Sequence, residues 1–164
     1  MERRPAVYTM LWPKHVVLPL VNKVDGQPLR SVLCRFNAAT NFARFRVAVG
    51  DTLVPVHIDR GRVCPIAKMR IVYKGTVGDW QETHPDAFEG VPQQHQLMVG
   101  ENGTPMYFFR PFPDDVLRAL RYDAKQPRAL PLDDEGKLKN ATAIEGVYRL
   151  CPESADEVLW LPWL

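Results

Sequence analysis

The sequence predicts an α+β domain, mainly β, in which strands dominate and helices are short and peripheral. The simplest form of it is a small twisted barrel. Three observations carry that expectation. Two β-prone runs, residues 52–58 and 63–73, flank a turn at Asp59-Arg60-Gly61-Arg62. A second turn dipeptide, Asn102-Gly103, separates two further apolar stretches. Strong helix signals are confined to short segments opening at Asp114 and Pro152.

The first hairpin is the best-defined element. With Arg60-Gly61 as a two-residue loop, Asp59 faces Arg62, Ile58 faces Val63, His57 faces Cys64, Val56 faces Pro65 and Val54 faces Ala67. Alternation then gives an apolar face (Val54, Val56, Ile58, Val63, Pro65, Ala67, Met69, Ile71) and a mixed one, as a half-buried antiparallel pair needs. Pro55 opposes this register, because its missing N–H falls where the ladder needs a donor. A bulge near Pro55, or a longer loop, resolves the conflict.

The other elements follow in order. Residues 6–22 read as an extended apolar segment broken by Pro13 and Pro19, with a turn after it at Asp25-Gly26. Residues 30–36 fit a short strand or a helix, and Asn37 or Thr40 caps a short helix unless that stretch is a loop. Residues 75–95 read as an irregular insertion with at most one short helix. A second hairpin is expected, with strands at 96–99 and 106–110 around Asn102-Gly103. Pro113, two acids and then two arginines mark a helix from Asp114, its Leu117 and Leu120 inward. Asp133-Asp134-Glu135-Gly136 is a turn, 146–150 a last strand or turn, and 152–160 a closing helix that forms a C-terminal extension.

The 164 residues fit a single domain over 1–164, and 46% hydrophobic with 24% charged residues describes a folded chain. No apolar run approaches a membrane span, and Met1-Glu2-Arg3-Arg4-Pro5 is not followed by a signal-peptide core, so no membrane partner is expected. Cys34, Cys64 and Cys151 are too scattered for a zinc knuckle or redox pair, and their odd number argues against a disulfide framework. A reducing, cytoplasmic setting follows. The net charge of +2 conceals an asymmetry: residues 30–74 carry nine Lys or Arg against two Asp, whereas residues 75–164 carry eight against fifteen acids. Such a chain either presents a basic side to a polyanion or neutralises itself where its halves pack.

No catalytic motif is present, and the chain is read as a non-enzyme without cofactor or metal. His57 and Cys64 are cross-strand neighbours, but two ordinary side chains on a sheet face explain them better than a nucleophile pair. His15, His57, His84 and His95 lack metal-ligand spacing, and neither phosphate-cradling glycine motif occurs. The aromatics are more suggestive. Tyr8, Trp12, Phe36, Phe42, Phe45 and Trp80 are interleaved with Arg35, Arg44, Arg46, Lys68 and Arg70. Rings that stack on bases beside phosphate-binding cations are the usual physics of single-strand or flipped-base recognition. Trp12 and Trp80 stand in polar or proline-broken contexts and are the stacking candidates, and Asn37 and Asn41 are candidates for a base edge.

The arrangement Arg44-Phe45-Arg46, Val49-Gly50-Asp51, then strand, turn and strand through Ile71 resembles the PUA-like superfamily, including ASCH and EVE domains. It covers a quarter to a third of the chain. The resemblance implies a pseudobarrel whose cleft binds RNA, DNA or a modified base. The expected function is therefore nucleic-acid binding, with Arg35, Arg44, Arg46, Lys68 and Arg70 on phosphates, Trp12 or Trp80 stacking, and Asn41 at a base. The alternative is a protein-interaction or regulatory subunit that uses the acidic half, or self-association through the apolar tail Val158-Leu-Trp-Leu-Pro-Trp-Leu164.

Overall fold

The computed structural model describes residues 3–33 and 45–164. Its elements are β1 (Val7–Leu11), α1 (Lys14–Val24), β2 (Ser31–Leu33), β3 (Thr52–Asp59), β4 (Arg62–Pro65), β5 (Met69–Thr76), α2 (Val77–Gln81) and β6 (Gln96–Glu101). They continue with α3 (Asp114–Ala119), β7 (Arg121–Tyr122), β8 (Arg128–Ala129), β9 (Val147–Arg149) and α4 (Pro152–Leu159). The architecture is α+β and strand-dominated. One mixed sheet runs β2-β6-β5-β3-β1-β9, with β4 beside β3, and among the described residues only the β1–β3 pair is parallel. β2 and β9 end the path without pairing to each other among the described residues, so the sheet is open rather than closed into a barrel.

The hairpin forms in the expected register from Val56↔Pro65 to Asp59↔Arg62. Beyond it, Leu53 faces Met69, so three steps along β3 match four along the returning chain. The extra residue is the bulge that Pro55 demands. Ile66 N–H donates to the Pro55 carbonyl at 2.9 Å, and no donor is asked of Pro55.

That bulge reverses the alternation, so the expected division of faces holds on one side only. Val54, Val56 and Val63 enter one core, whereas Met69 and Ile71 join Leu53 in the other. The pair is also not half-buried, since residues 53–57 of β3 are all buried. A strand with partners on both edges and layers on both faces is what a parallel neighbour in mid-sheet implies. On one face α1, Leu29, Met106 and Phe108 cover Tyr8, Met10, Leu53, Met69 and Ile71. On the other, α3, α4 and Leu130 to Ile144 cover Val7, Val54 and Val56. A satellite cluster joins Leu33, Val77 and Leu97 to Tyr73 and Trp80.

Two expected elements take other forms. Residues 14–24 are not extended. They form α1, which starts after Pro13 and carries Pro19 inside it. Val17 with Leu20, Val21 and Val24 recurs at helical spacing and packs on the core. Burying such side chains stabilises by about 1.5–3 kcal/mol each. Together they exceed the roughly 3 kcal/mol that an interior proline costs. The strand expected at 106–110 is absent, because β6 already pairs with β5 and β2 and has no free edge. The C-terminal tail docks in part: Leu161 is buried, while Trp160 is 85% exposed. Among the described residues no helix is long and apolar enough to cross a membrane.

Candidate nucleic-acid interface

The chain enters β3 through residues 45–51, and this segment is fastened from two sides. Asp51 is buried and accepts from Ala6 N–H at 2.9 Å, from Ala48 N–H at 2.9 Å and from Arg3 Nη2 at 2.8 Å. From β5, Lys74 Nζ donates to the carbonyls of Phe45 and Val47 at 2.7 and 2.8 Å. Burial pushes the Lys74 ammonium below its usual pKa, and nearby Arg3 adds to the effect. Arg3 also reaches the Tyr8 hydroxyl at 3.2 Å and the Arg46 carbonyl at 3.4 Å. Phe45 and Arg46 are thus held at fixed positions on a short irregular segment.

Beside them lies a hollow of about 250 Å3, lined by Tyr8, Phe45, Arg46, Asp123, Val147, Tyr148 and Arg149. Its far wall is β9, the outermost strand of the sheet. Arg128 lies over the rings of Tyr122 and Tyr148 at 4.9 and 5.0 Å and donates to the Ala143 carbonyl at 2.7 Å, which fixes Tyr148 from behind. Tyr122 hydrogen-bonds Thr9 at 2.7 Å, and burial pushes its phenol up to about 12. Arg149 is 3.7 Å from Asp123 and still 40% exposed. Arg46 is exposed. The hollow therefore gathers aromatic residues and two arginines, of which Tyr8 is buried and Tyr148 packs against Tyr122 and Arg128, and rings beside cations are what single-strand recognition uses.

Of the residues singled out from sequence, Tyr8, Phe45 and Arg46 are found here among those described. Arg35, Asn41 and Arg44, with Asn37, Phe36 and Phe42, lie outside the described residues. Trp12 is 3% exposed in the core beneath α1 and has no face for a base. Lys68 reaches to the carbonyl of Leu159 at 3.4 Å, towards the end of α4. Arg70 pairs with Glu101 at 2.8 Å. Trp80 is half-buried, stacked on His84 at 3.9 Å and tilted against Tyr73 at 4.8 Å, in the satellite cluster. Tyr148, Arg149 and Arg3 were missed. Their only sequence signals are an aromatic-Arg dipeptide in a late strand and an Arg pair near the start.

The basic hairpin is not one basic face, because part of the acidic half folds onto its tip. Leu138 N–H donates to the Gly61 carbonyl at 2.8 Å, and the space beside Gly136 is bounded by Asp114 Oδ1 and Arg62 Nη1. Asp133 turns its carboxylate inward to Glu135 N–H and Lys137 N–H, both at 2.9 Å, and these bonds hold its pKa below the usual value. Among the described residues no three metal-ligating side chains converge.

His57 and Cys64 are the cross-strand neighbours expected, but their setting is inert. Burial, with Asp59 nearby, pushes the Cys64 thiol up to about 11, and its Sγ donates to the Arg62 carbonyl at 3.7 Å. His57 is 3% exposed, edge-on to Phe108 and Phe109, and its Nε2 has no hydrogen-bond partner among the described residues. Burial lowers its pKa below 6.5, against a smaller opposing pull from Asp59. The folded state thus binds this proton less readily than the unfolded chain. Stability from the neutral ring is full above the unfolded value and falls as pH drops below about 6.5. Urea unfolding across this range should show that decline, and His57→Phe should flatten it. An unchanged slope in the variant would remove His57 from the account.

No protein-family model matches the chain, and no curated protein matches it.

Proposed function

We propose that the protein is a non-enzymatic nucleic-acid-binding module whose contact site is the hollow between residues 45–46 and β9. The observation that carries this reading is the meeting of Phe45, Tyr148, Arg46 and Arg149 around one concavity. A base enters against the rings, while the arginines take the flanking phosphates. The resemblance to PUA-like domains belongs to the same proposal, since Phe45 and Arg46 of that pattern line this hollow. A reducing cytoplasmic setting fits the free thiols of Cys64 and Cys151.

Fluorescence anisotropy with labelled single- and double-stranded DNA and RNA, at low and physiological salt, tests the reading. Binding should weaken steeply with salt. Arg46→Ala with Arg149→Ala should lower affinity at least tenfold and reduce the salt slope by about two, roughly one per lost phosphate contact. No binding at low salt, or a double variant indistinguishable from the parent, would defeat it.

A further inference from the structure

A larger hollow lies elsewhere, on the face of the sheet covered by α3 and α4. This groove of about 530 Å3 runs between the two helices, with Val116, Ala119, Leu120 and Val158 among its apolar walls. Glu153 and Glu157, one turn apart on α4, line it as well. Both are exposed, and neither forms an ion pair among the described residues. Among the described residues the one cation in the lining is Arg121, which spends its Nη1 on the carbonyls of Arg118 and Leu120 at 2.7 and 2.8 Å. The groove thus asks for an apolar side chain carried with positive charge.

The chain itself displays that combination on the opposite face of the sheet. Helix α1 contains Lys14 and Lys23 and no acid, and its Leu18 is 53% exposed while Val17 is buried. Lys14 precedes Leu18 by one turn and lies on the same side of the helix. We propose that the groove receives α1 of a second copy of the chain. Leu18 enters between α3 and α4, and Lys14, on the same side of α1, meets the carboxylates of Glu153 and Glu157.

The two surfaces belong to opposite layers, α1 to one core and α3–α4 to the other. Such a contact joins unlike surfaces and leaves a free helix at one end and a free groove at the other. It therefore builds open chains rather than a closed two-fold dimer. The proposal is independent of nucleic-acid binding and stands or falls without it.

Sedimentation velocity over a concentration series, without nucleic acid, provides the test. The parent should grow in mean size with concentration. Leu18→Asp lacks the donor helix, and Ala119→Trp fills the groove. Both positions are exposed, and circular dichroism checks that each variant folds. Each should remain monomeric alone, and an equimolar mixture should form a one-to-one pair and nothing larger. Glu153→Lys with Glu157→Lys should weaken association about tenfold or more. A parent that stays monomeric overturns the proposal, as does a mixture that fails to pair. Loss of association in Trp160→Ser would move the contact to the exposed tail and equally overturn it. So would a monomeric protein whose groove binds an amphipathic Leu/Lys peptide, since the occupant is then a foreign basic helix.

Discussion

Replacing Asp51 by alanine should lower the unfolding free energy by about 3–5 kcal/mol, measured by urea denaturation. The carboxylate is 2% exposed and holds two main-chain donors, Ala6 N–H and Ala48 N–H. Each donor left unsatisfied in a buried position costs about 1–3 kcal/mol. The ion pair to Arg3 adds little, because the arginine is 48% exposed. Arg3→Ala should therefore cost less than about 1 kcal/mol, and the contrast between the two variants separates the amide clamp from the charge. Asp51→Asn keeps one acceptor oxygen and should fall between them. An alanine variant within 1 kcal/mol of the parent would mean that water enters and replaces the clamp. Because this clamp also positions Phe45 and Arg46, its loss should weaken oligonucleotide binding without removing any group from the hollow.

Asp51 illustrates what the sequence could and could not disclose. Gly50-Asp51 reads correctly as a turn, and Gly50 has φ +95°. That the Asp51 side chain reaches 45 residues back to Ala6 is a property of the parallel β1–β3 pairing, and a parallel partner leaves no local signature. Local chemistry was legible where it acts locally. The register at the Arg60-Gly61 turn, the bulge imposed by Pro55, the acid-first helix at Asp114 and the helix at Pro152 all follow from neighbours in sequence. Helix α1, expected as extended chain, was not legible at all, because its support is burial of Val17, Leu20, Val21 and Val24 against strands that come later. The candidate site was legible at Tyr8, Phe45 and Arg46. Its other wall, Asp123 with Val147 to Arg149, comes from residues about 80 to 100 positions after Arg46. Two of the cations expected there, Lys68 and Arg70, instead bond Leu159 and Glu101.

The second hairpin failed for a reason that a glycine substitution can measure. Asn102-Gly103 does turn the chain, with Asn102 at φ +52°. The chain then leaves β6, whose two edges are taken, and crosses to the opposite connection. Thr104 N–H donates to the Lys68 carbonyl at 3.0 Å, the Thr104 carbonyl accepts from Leu29 N–H at 3.0 Å, and Lys68 N–H donates to Thr104 Oγ1 at 2.9 Å. This crossing brings Gly103 so close to Leu29 that a Cβ would overlap the Leu29 carbonyl oxygen. Leu29 is 2% exposed and tied by the same bonds, so neither strand of backbone can yield without breaking them. Gly103→Ala should therefore cost about 3 kcal/mol, at the upper end of what overpacking costs. Gly90→Ala is the control: Gly90 has φ +78° but open space around it, and the change should cost only the conformational strain of about 1–2 kcal/mol. Thermal unfolding of both variants decides between two uses of glycine. A larger loss at Gly103 means the residue is there for close approach, as the crossing requires. Equal or smaller loss would mean that Leu29 can move aside, and that residues 102–106 are a loosely held turn rather than a fastening between β6, β5 and the segment before β2.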